Sequence, residues 1–215
     1  LWFGLVYLGS LLALLWQGFY SFDDFSMSVL PKLTLANYAN IFAHGNFDIV
    51  LRTLAMACAV TLAAAVIAFP IAYYMSRYAT PGIKAFFYIG VMLPMWASYI
   101  VKAYSWTVIL AKGGIVFWAF GRLHLTWLLD AWLALPVVGG NSLSISYTGT
   151  FIVFVYVWLP FMILPVQAAL ERVPPSLVEA SADLGAVPRQ TFANVILPLA
   201  MPGLAAGSIF TFSLT

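Results

Sequence analysis

Polar positions are so sparse along this chain that five apolar stretches stand out, each of bilayer-crossing length. The first covers about Leu1 to Tyr20. The second, Thr53 to Ser76, contains no charged residue and would make roughly 36 Å of helix at about 1.5 Å per residue. The third runs from about Ala85 to Ala111 and includes Lys102, the fourth from about Ser146 to Leu170, and the fifth opens near Leu199. Apolar residues fill these runs continuously instead of alternating with polar ones, which selects helices over the strands of a closed barrel. The predicted fold is an all-α polytopic membrane bundle, a single transmembrane domain over residues 1–215. The chain starts at Leu1 and finishes at Thr215 inside apolar runs, so it is expected to be incomplete at both ends, with a further span beyond the C-terminus.

Between the third and fourth stretches the pattern breaks up. Gly113-Gly114, Gly121-Arg122 and Gly139-Gly140-Asn141-Ser142 read as turns. Residues Ile115 to Leu135 are too interrupted for a span, and a helix at the outer interface or a partial re-entrant segment fits them better. Trp118, Trp127 and Trp132 suit that depth, where one end of the indole is wet.

Composition supports the membrane reading. Hydrophobic residues make up 64% of the 215 and charged residues 7%, too few to cover a soluble domain of this size. A net charge of +2 gives no footing for nucleic acid. The single cysteine, Cys58, lies in an apolar run and permits no internal disulfide. His44 and His124 stand apart as loop residues with no metal-ligand spacing, so no metal site is expected.

The most informative polar segment lies between the fourth and fifth stretches, over residues 171–198. It reads Glu179-Ala180-Ser181-Ala182-Asp183-Leu184-Gly185, then nine residues, then Val195-Ile196-Leu197-Pro198. Pro174 and Pro175 stop the preceding helix, and Ser176 with Glu179 has the spacing of a capping box. Gly185 suits a left-handed helix end, and Pro188 suits the first turn of a second helix passing through Phe192 and Val195. The prediction is a helix, a sharp corner and another helix, the first kept slim by Ala180 and Ala182.

That segment resembles the EAA loop of bacterial ABC importer permeases. Glu179, Ala180, Gly185, Leu197 and Pro198 occupy the family's positions, with Ser181 in place of the second alanine and Val195 in place of the usual isoleucine. Leu51-Arg52-Thr53-Leu54, Pro70-Ile71-Ala72-Tyr73-Tyr74, Leu93-Pro94-Met95-Trp96, Lys102-Ala103-Tyr104-Ser105-Trp106 and the Trp158-to-Pro165 run are similar to spermidine/putrescine permeases of the PotB type. Many relatives carry arginine where Lys102 stands. The resemblance implies a type I importer fold, in which this chain forms half of a translocation pathway with a second, PotC-like permease. It also implies two ATPase subunits below, an extracytoplasmic solute-binding protein, a small-molecule solute, and a multi-pass location in the bacterial cytoplasmic (inner) membrane. ATP and Mg would belong to the ATPase, since no Walker A glycine-rich loop occurs here. The coupling residues it implies are Glu179, Ala180, Ser181, Asp183, Leu184, Gly185, Pro188 and Arg189. They put Arg77, Lys84, Arg172 and Arg189 on the cytoplasmic side and Lys32, Lys112 and Arg122 outside, a slight positive-inside bias.

Lys102 is the oddity within a span, because a buried ammonium at mid-bilayer costs several kcal/mol. Beside a polyamine it would repel the cargo, so a structural or gating role, paired with a carboxylate or carbonyls, is favoured over solute contact. Trp96, Tyr99, Tyr104, Trp106, Tyr156 and Trp158 offer ring faces for ammonium groups along a pathway, or serve simply as packing and interface residues. Asp130 is placed at the outer mouth as a solvated carboxylate able to attract a cation, and Asp23 and Asp24 carry the same reading. Pro160 and Pro165 are expected to kink the fourth span. Gly203 and Gly207 form a Gly-xxx-Gly pair. Two alternatives stay open: a permease for ferric iron, an aminophosphonate or an oxyanion, which would explain Lys102 more easily, and a passive channel or membrane scaffold.

Overall fold

The computed structural model describes residues 2–23, 28–41, 44–136 and 138–215. The chain divides into two compact units, Leu1–Ala55 and Met56–Thr215, with the boundary inside one long helix.

In the first unit, α1 (Trp2–Gln17) is followed by a short antiparallel hairpin of β1 (Tyr20–Asp23) and β2 (Ser28–Leu33), then α2 (Ala36–Ile41). The Tyr38 hydroxyl donates to the Leu15 carbonyl at 2.6 Å, and the Asn37 amide donates to the carbonyls of Gly18 and Tyr20, so α2 is fastened to the end of α1. The apolar pattern predicts no strand here. Helix α1 is shorter than the expected first stretch because the chain turns at Gly18 and enters the hairpin. Asp24 lies outside the described residues, and His44 opens α3 (His44–Arg77) instead of sitting in a loop.

The second unit is built on the second half of α3, with α4 (Pro81–Trp96), α5 (Tyr99–Leu110), α6 (Ile115–Arg122), α7 (Thr126–Leu133), α8 (Tyr147–Glu171), α9 (Pro175–Asp183), α10 (Pro188–Thr191) and α11 (Leu197–Leu214). Among the described residues four segments are long and apolar enough to cross a membrane: 46–77, 99–122, 147–171 and 188–214. The second and fourth expected stretches therefore hold as α3 and α8, the latter continuing through Pro160 and Pro165 as one helix.

The third expected span is corrected. It is not one helix but two, α4 and α5, parted at Ala97 (φ −68°, ψ 136°) and Ser98 (φ −55°, ψ 139°). Pro94 has no N–H for the Gly90 carbonyl, which loosens the last turn of α4 before the break. The interrupted stretch after it forms the two short helices α6 and α7, which turn back through His124 at φ 55°. They pack on the N-terminal end of α8, where Leu110, Leu129 and Leu143 share a buried cluster with Trp106, Phe117 and Phe120. The Trp132 indole N–H donates to the Thr148 hydroxyl at 3.0 Å.

At the other end of α8 the core is made with small residues. Ala64, Ala68, Ala72 and Met75 recur along one face of α3 at helical spacing and are fully buried. They join Met162, Val166 and Leu170 of α8 and Ala200 of α11 in one cluster. Gly203 and Gly207 serve the same end: a Cβ on Gly203 would lie 2.5 Å from the Pro165 carbonyl oxygen and 2.6 Å from the Ala169 Cβ. The glycine pair is thus consumed inside this chain, letting α11 lie against α8, and its face is not free for another subunit.

Candidate functional site

Residues 172–198 form the corner that the sequence predicts, with one change at its start. Helix α9 begins at Pro175, with Pro174 as its cap and no side-chain cap bond. The Ser176–Glu179 capping box does not form, because Pro175 already supplies the first helical φ and Ser176 falls inside the first turn. The end of α9 matches expectation. Gly185 has φ +80°, its N–H bonds the Ala182 carbonyl at 2.8 Å, and the Ala186 N–H bonds the Ser181 carbonyl at 3.1 Å. These two bonds make a Schellman motif, whose left-handed position only glycine occupies without steric cost. Pro188 is the first residue of α10, and the Gln190 side-chain oxygen accepts from the Val187 N–H at 3.0 Å.

The corner is closed by side chains as well. Ser181, the departure from the family's alanine, shares a 2.9 Å hydrogen bond with the buried Thr191 hydroxyl. Beyond Thr191 the helix widens into a π turn over Phe192–Ile196, directly before Pro198, which has no N–H to return to the preceding turn. Phe192 packs edge-on to Phe69 at 5.5 Å and to Tyr73 at 6.3 Å, so the corner rests on α3. Val178 is drawn into the core cluster. On the outward side, Leu177 is 44% and Leu184 89% exposed, beside exposed Glu179, Ala180, Asp183 and Arg189. An apolar knob that open, on a helix held at both ends, offers a contact surface in place of core packing.

The last turn of α8 is gripped from two sides. The Arg77 Nη2 of α3 donates to the Val173 carbonyl at 3.0 Å. Lys84 of α4 pairs with Glu171 at 2.5 Å, and the buried Gln167 amide donates to the Tyr88 hydroxyl at 2.6 Å and to Glu171 at 3.3 Å. From the sequence alone Arg77 and Lys84 mark only the cytoplasmic side of the membrane. Arg77 in the last turn of α3 follows the preference of cations for a helix C-terminus, whereas Lys84 in the first turn of α4 goes against it and is answered by Glu171.

The pathway candidates are not gathered into one site. Tyr99 and Trp106 line a cavity of about 210 Å³ with Thr107, Ser144 and Thr150. Tyr156 meets Trp106 edge-on at 5.1 Å but lines a separate, apolar cavity of about 310 Å³ between α4 and α8. Trp96 and Tyr104 are 83% and 74% exposed and face outward from α4 and α5. Trp158 is half-buried against Phe161. Asp130 is exposed on α7. The Lys102 ammonium donates to the Pro94 carbonyl at 3.1 Å and lies 5.8 Å from the Tyr99 ring centre. That carbonyl is orphaned where α4 ends, so Lys102 bridges the α4–α5 break. Among the described residues no group of three or more His, Cys, Asp or Glu is placed to hold a metal, and Cys58 is free.

The pattern of binding-protein-dependent transport system inner membrane components matches residues 62–215, which include the corner, the α8 grip and both cavities. The chain belongs to this family. The inner membrane ABC transporter permease protein YdcU of Escherichia coli (strain K12) is 69% identical over 215 residues, which are 100% of this chain and 69% of that protein. The spermidine/putrescine transport system permease protein PotB of Salmonella typhimurium (strain LT2) is 30% identical over 200 residues, 92% of this chain and 64% of that protein. PotB of Haemophilus influenzae is 34% identical over 178 residues, 82% of this chain and 58% of that protein. The chain therefore spans between 58% and 69% of the length of these three relatives. As a member of this family it is a multi-pass inner-membrane permease component and not an enzyme. Membership sets aside the passive channel and scaffold alternatives.

Proposed function

We propose that this permease component forms half of the translocation pathway of an ATP-driven importer for polyamines and receives its drive through α9. Two ATPase subunits carrying ATP and Mg, a second PotC-like permease and an extracytoplasmic solute-binding protein complete the assembly. The observation that carries the coupling role is the exposed Leu184 at the tip of a helix locked by the Gly185 corner and the Ser181–Thr191 bond. A load on such a helix is delivered to the core instead of being absorbed by bending. ATP then favours one permease state only through a difference in contact free energy at this surface.

The polyamine cargo rests on the PotB relatives and on Lys102. Its ammonium is taken up by the Pro94 carbonyl, so it counts less for an anionic solute than an uncommitted charge would. Uptake of labelled putrescine and spermidine, in cells lacking their own polyamine importers and supplied with the complete transporter, tests the reading. ATP-dependent uptake that disappears on Gly185→Val supports cargo and coupling together. If polyamines are ignored while the complex still hydrolyses ATP, the cargo falls, and ferric iron, an aminophosphonate or an oxyanion takes its place.

A further inference from the structure

A load on α9 has two ways into the membrane helices. Forward, it passes through Ser181–Thr191 and the π turn into α11. Backward, it passes through Pro174 into the end of α8. Two consecutive prolines at 174 and 175 supply no N–H, so after the Arg172 and Val173 N–H groups have closed the carbonyls of Ala169 and Leu170, the last carbonyls before the prolines need partners from other helices. It finds them on α3 and α4. Arg77 holds the carbonyl of Val173, the last residue before the prolines, and Val173 is itself buried. Two residues earlier, Lys84 holds Glu171, and one turn before that the fully buried Gln167 is bonded to Tyr88. The Arg77 Nε is buried and has no partner among the described residues. An Nε taken out of water without a partner, on a side chain whose Nη2 makes one carbonyl bond, is a costly way merely to finish a helix.

We propose that Arg77 and the Lys84–Glu171 pair are positioning residues for ATP coupling, which lock α3 and α4 to the end of α8 so that all three helices follow α9. The proposal rests on the reading of α9 as the ATPase contact. It differs from a plain stabilising role in what it predicts for conformational change: without the lock, α9 still moves with the ATPase, but α3 and α4 no longer follow.

The test uses the assembled transporter in proteoliposomes, with Cys58→Ser and a single cysteine placed at Thr107 on the cavity-lining face of α5. The readout is the ATP-dependent change in maleimide labelling at that position, measured beside ATP hydrolysis. Lys84→Glu and Glu171→Lys should each shrink the labelling change at least about fivefold, the low end of ordinary coupling constants, while hydrolysis continues. The double exchange should restore it, because the pair re-forms with its signs reversed and the unpartnered Gln167 oxygen can turn toward the new lysine. Arg77→Met should behave like the single exchanges, and Arg77→Lys should recover part of the change. Full labelling change in the single variants, or a double exchange no better than either, overturns the proposal. Leu184→Asp separates the underlying reading. If that variant keeps its ATPase subunits and its full ATP-driven change, α9 is not the contact. If it loses them while the lock variants behave normally, only the lock is wrong.

Discussion

Ser181 on α9 and Thr191 on α10 share a 2.9 Å hydrogen bond across the Gly185 corner, and Thr191 is 7% exposed. Replacing Ser181 by alanine leaves a buried hydroxyl with its partner removed. The expected cost is about 1 kcal/mol, read as a lower unfolding midpoint of the purified complex, with uptake reduced but not lost. An unchanged midpoint would mean that the bond is not formed in the assembled protein.

Gly185 separates conformation from packing. A Cβ there would meet nothing within 4 Å, so only φ +80° resists substitution. Asparagine tolerates the left-handed region, whereas a β-branched residue is penalised by at least about 1–2 kcal/mol. Gly185→Asn should keep most coupled uptake and Gly185→Val should lose it. Equal behaviour of the two variants would show that the corner is not what matters at this position.

The α8–α11 contact predicts an ordering. A Cβ on Gly203 meets the Pro165 backbone oxygen at 2.5 Å, while one on Gly207 first meets the flexible Met162 sulfur at 2.7 Å. Gly203→Ala should therefore destabilise more than Gly207→Ala, within the range of about 1–3 kcal/mol typical of overpacking. Thermal midpoints in detergent decide it, and the reverse order would contradict the packing described.

Lys102 predicts a split between kinetic constants. Because its ammonium bridges the α4–α5 break, Lys102→Met should lower maximal uptake rate and leave the half-saturating solute concentration nearly unchanged. A large rise in that concentration at constant maximal rate would place Lys102 on the solute instead.

Much of the fold can be read in the chain where one physical requirement dominates. The long uncharged runs behind α3 and α8 have no alternative in a bilayer, and Gly185 is the residue at the corner that takes positive φ without cost. The break between α4 and α5 is hidden because Leu93 to Ala97 is apolar throughout, with only the small Ser98 after it. The helix passes Pro94 and parts only at Ala97, where Lys102 supplies a carbonyl partner from the next helix. Ser176 is not the cap for a related reason, since Pro174 takes the cap position and Pro175 enters the helix with its φ already set, leaving Ser176 inside the first turn. The hairpin at Tyr20–Leu33 has strands too short to show a period. The lock on α8 joins residues up to 96 positions apart, and no local pattern announces such a pairing.

The most direct test of α9 as the point of drive is photo-cross-linking from position 184 in the assembled transporter, with position 127 on α7, packed toward the opposite end of α8, as the control. A photoreactive side chain replacing Leu184 should capture the ATPase subunit, and one replacing Trp127 should not. Capture from position 127 and not 184, or from neither position in a complex that still hydrolyses ATP, would contradict the account.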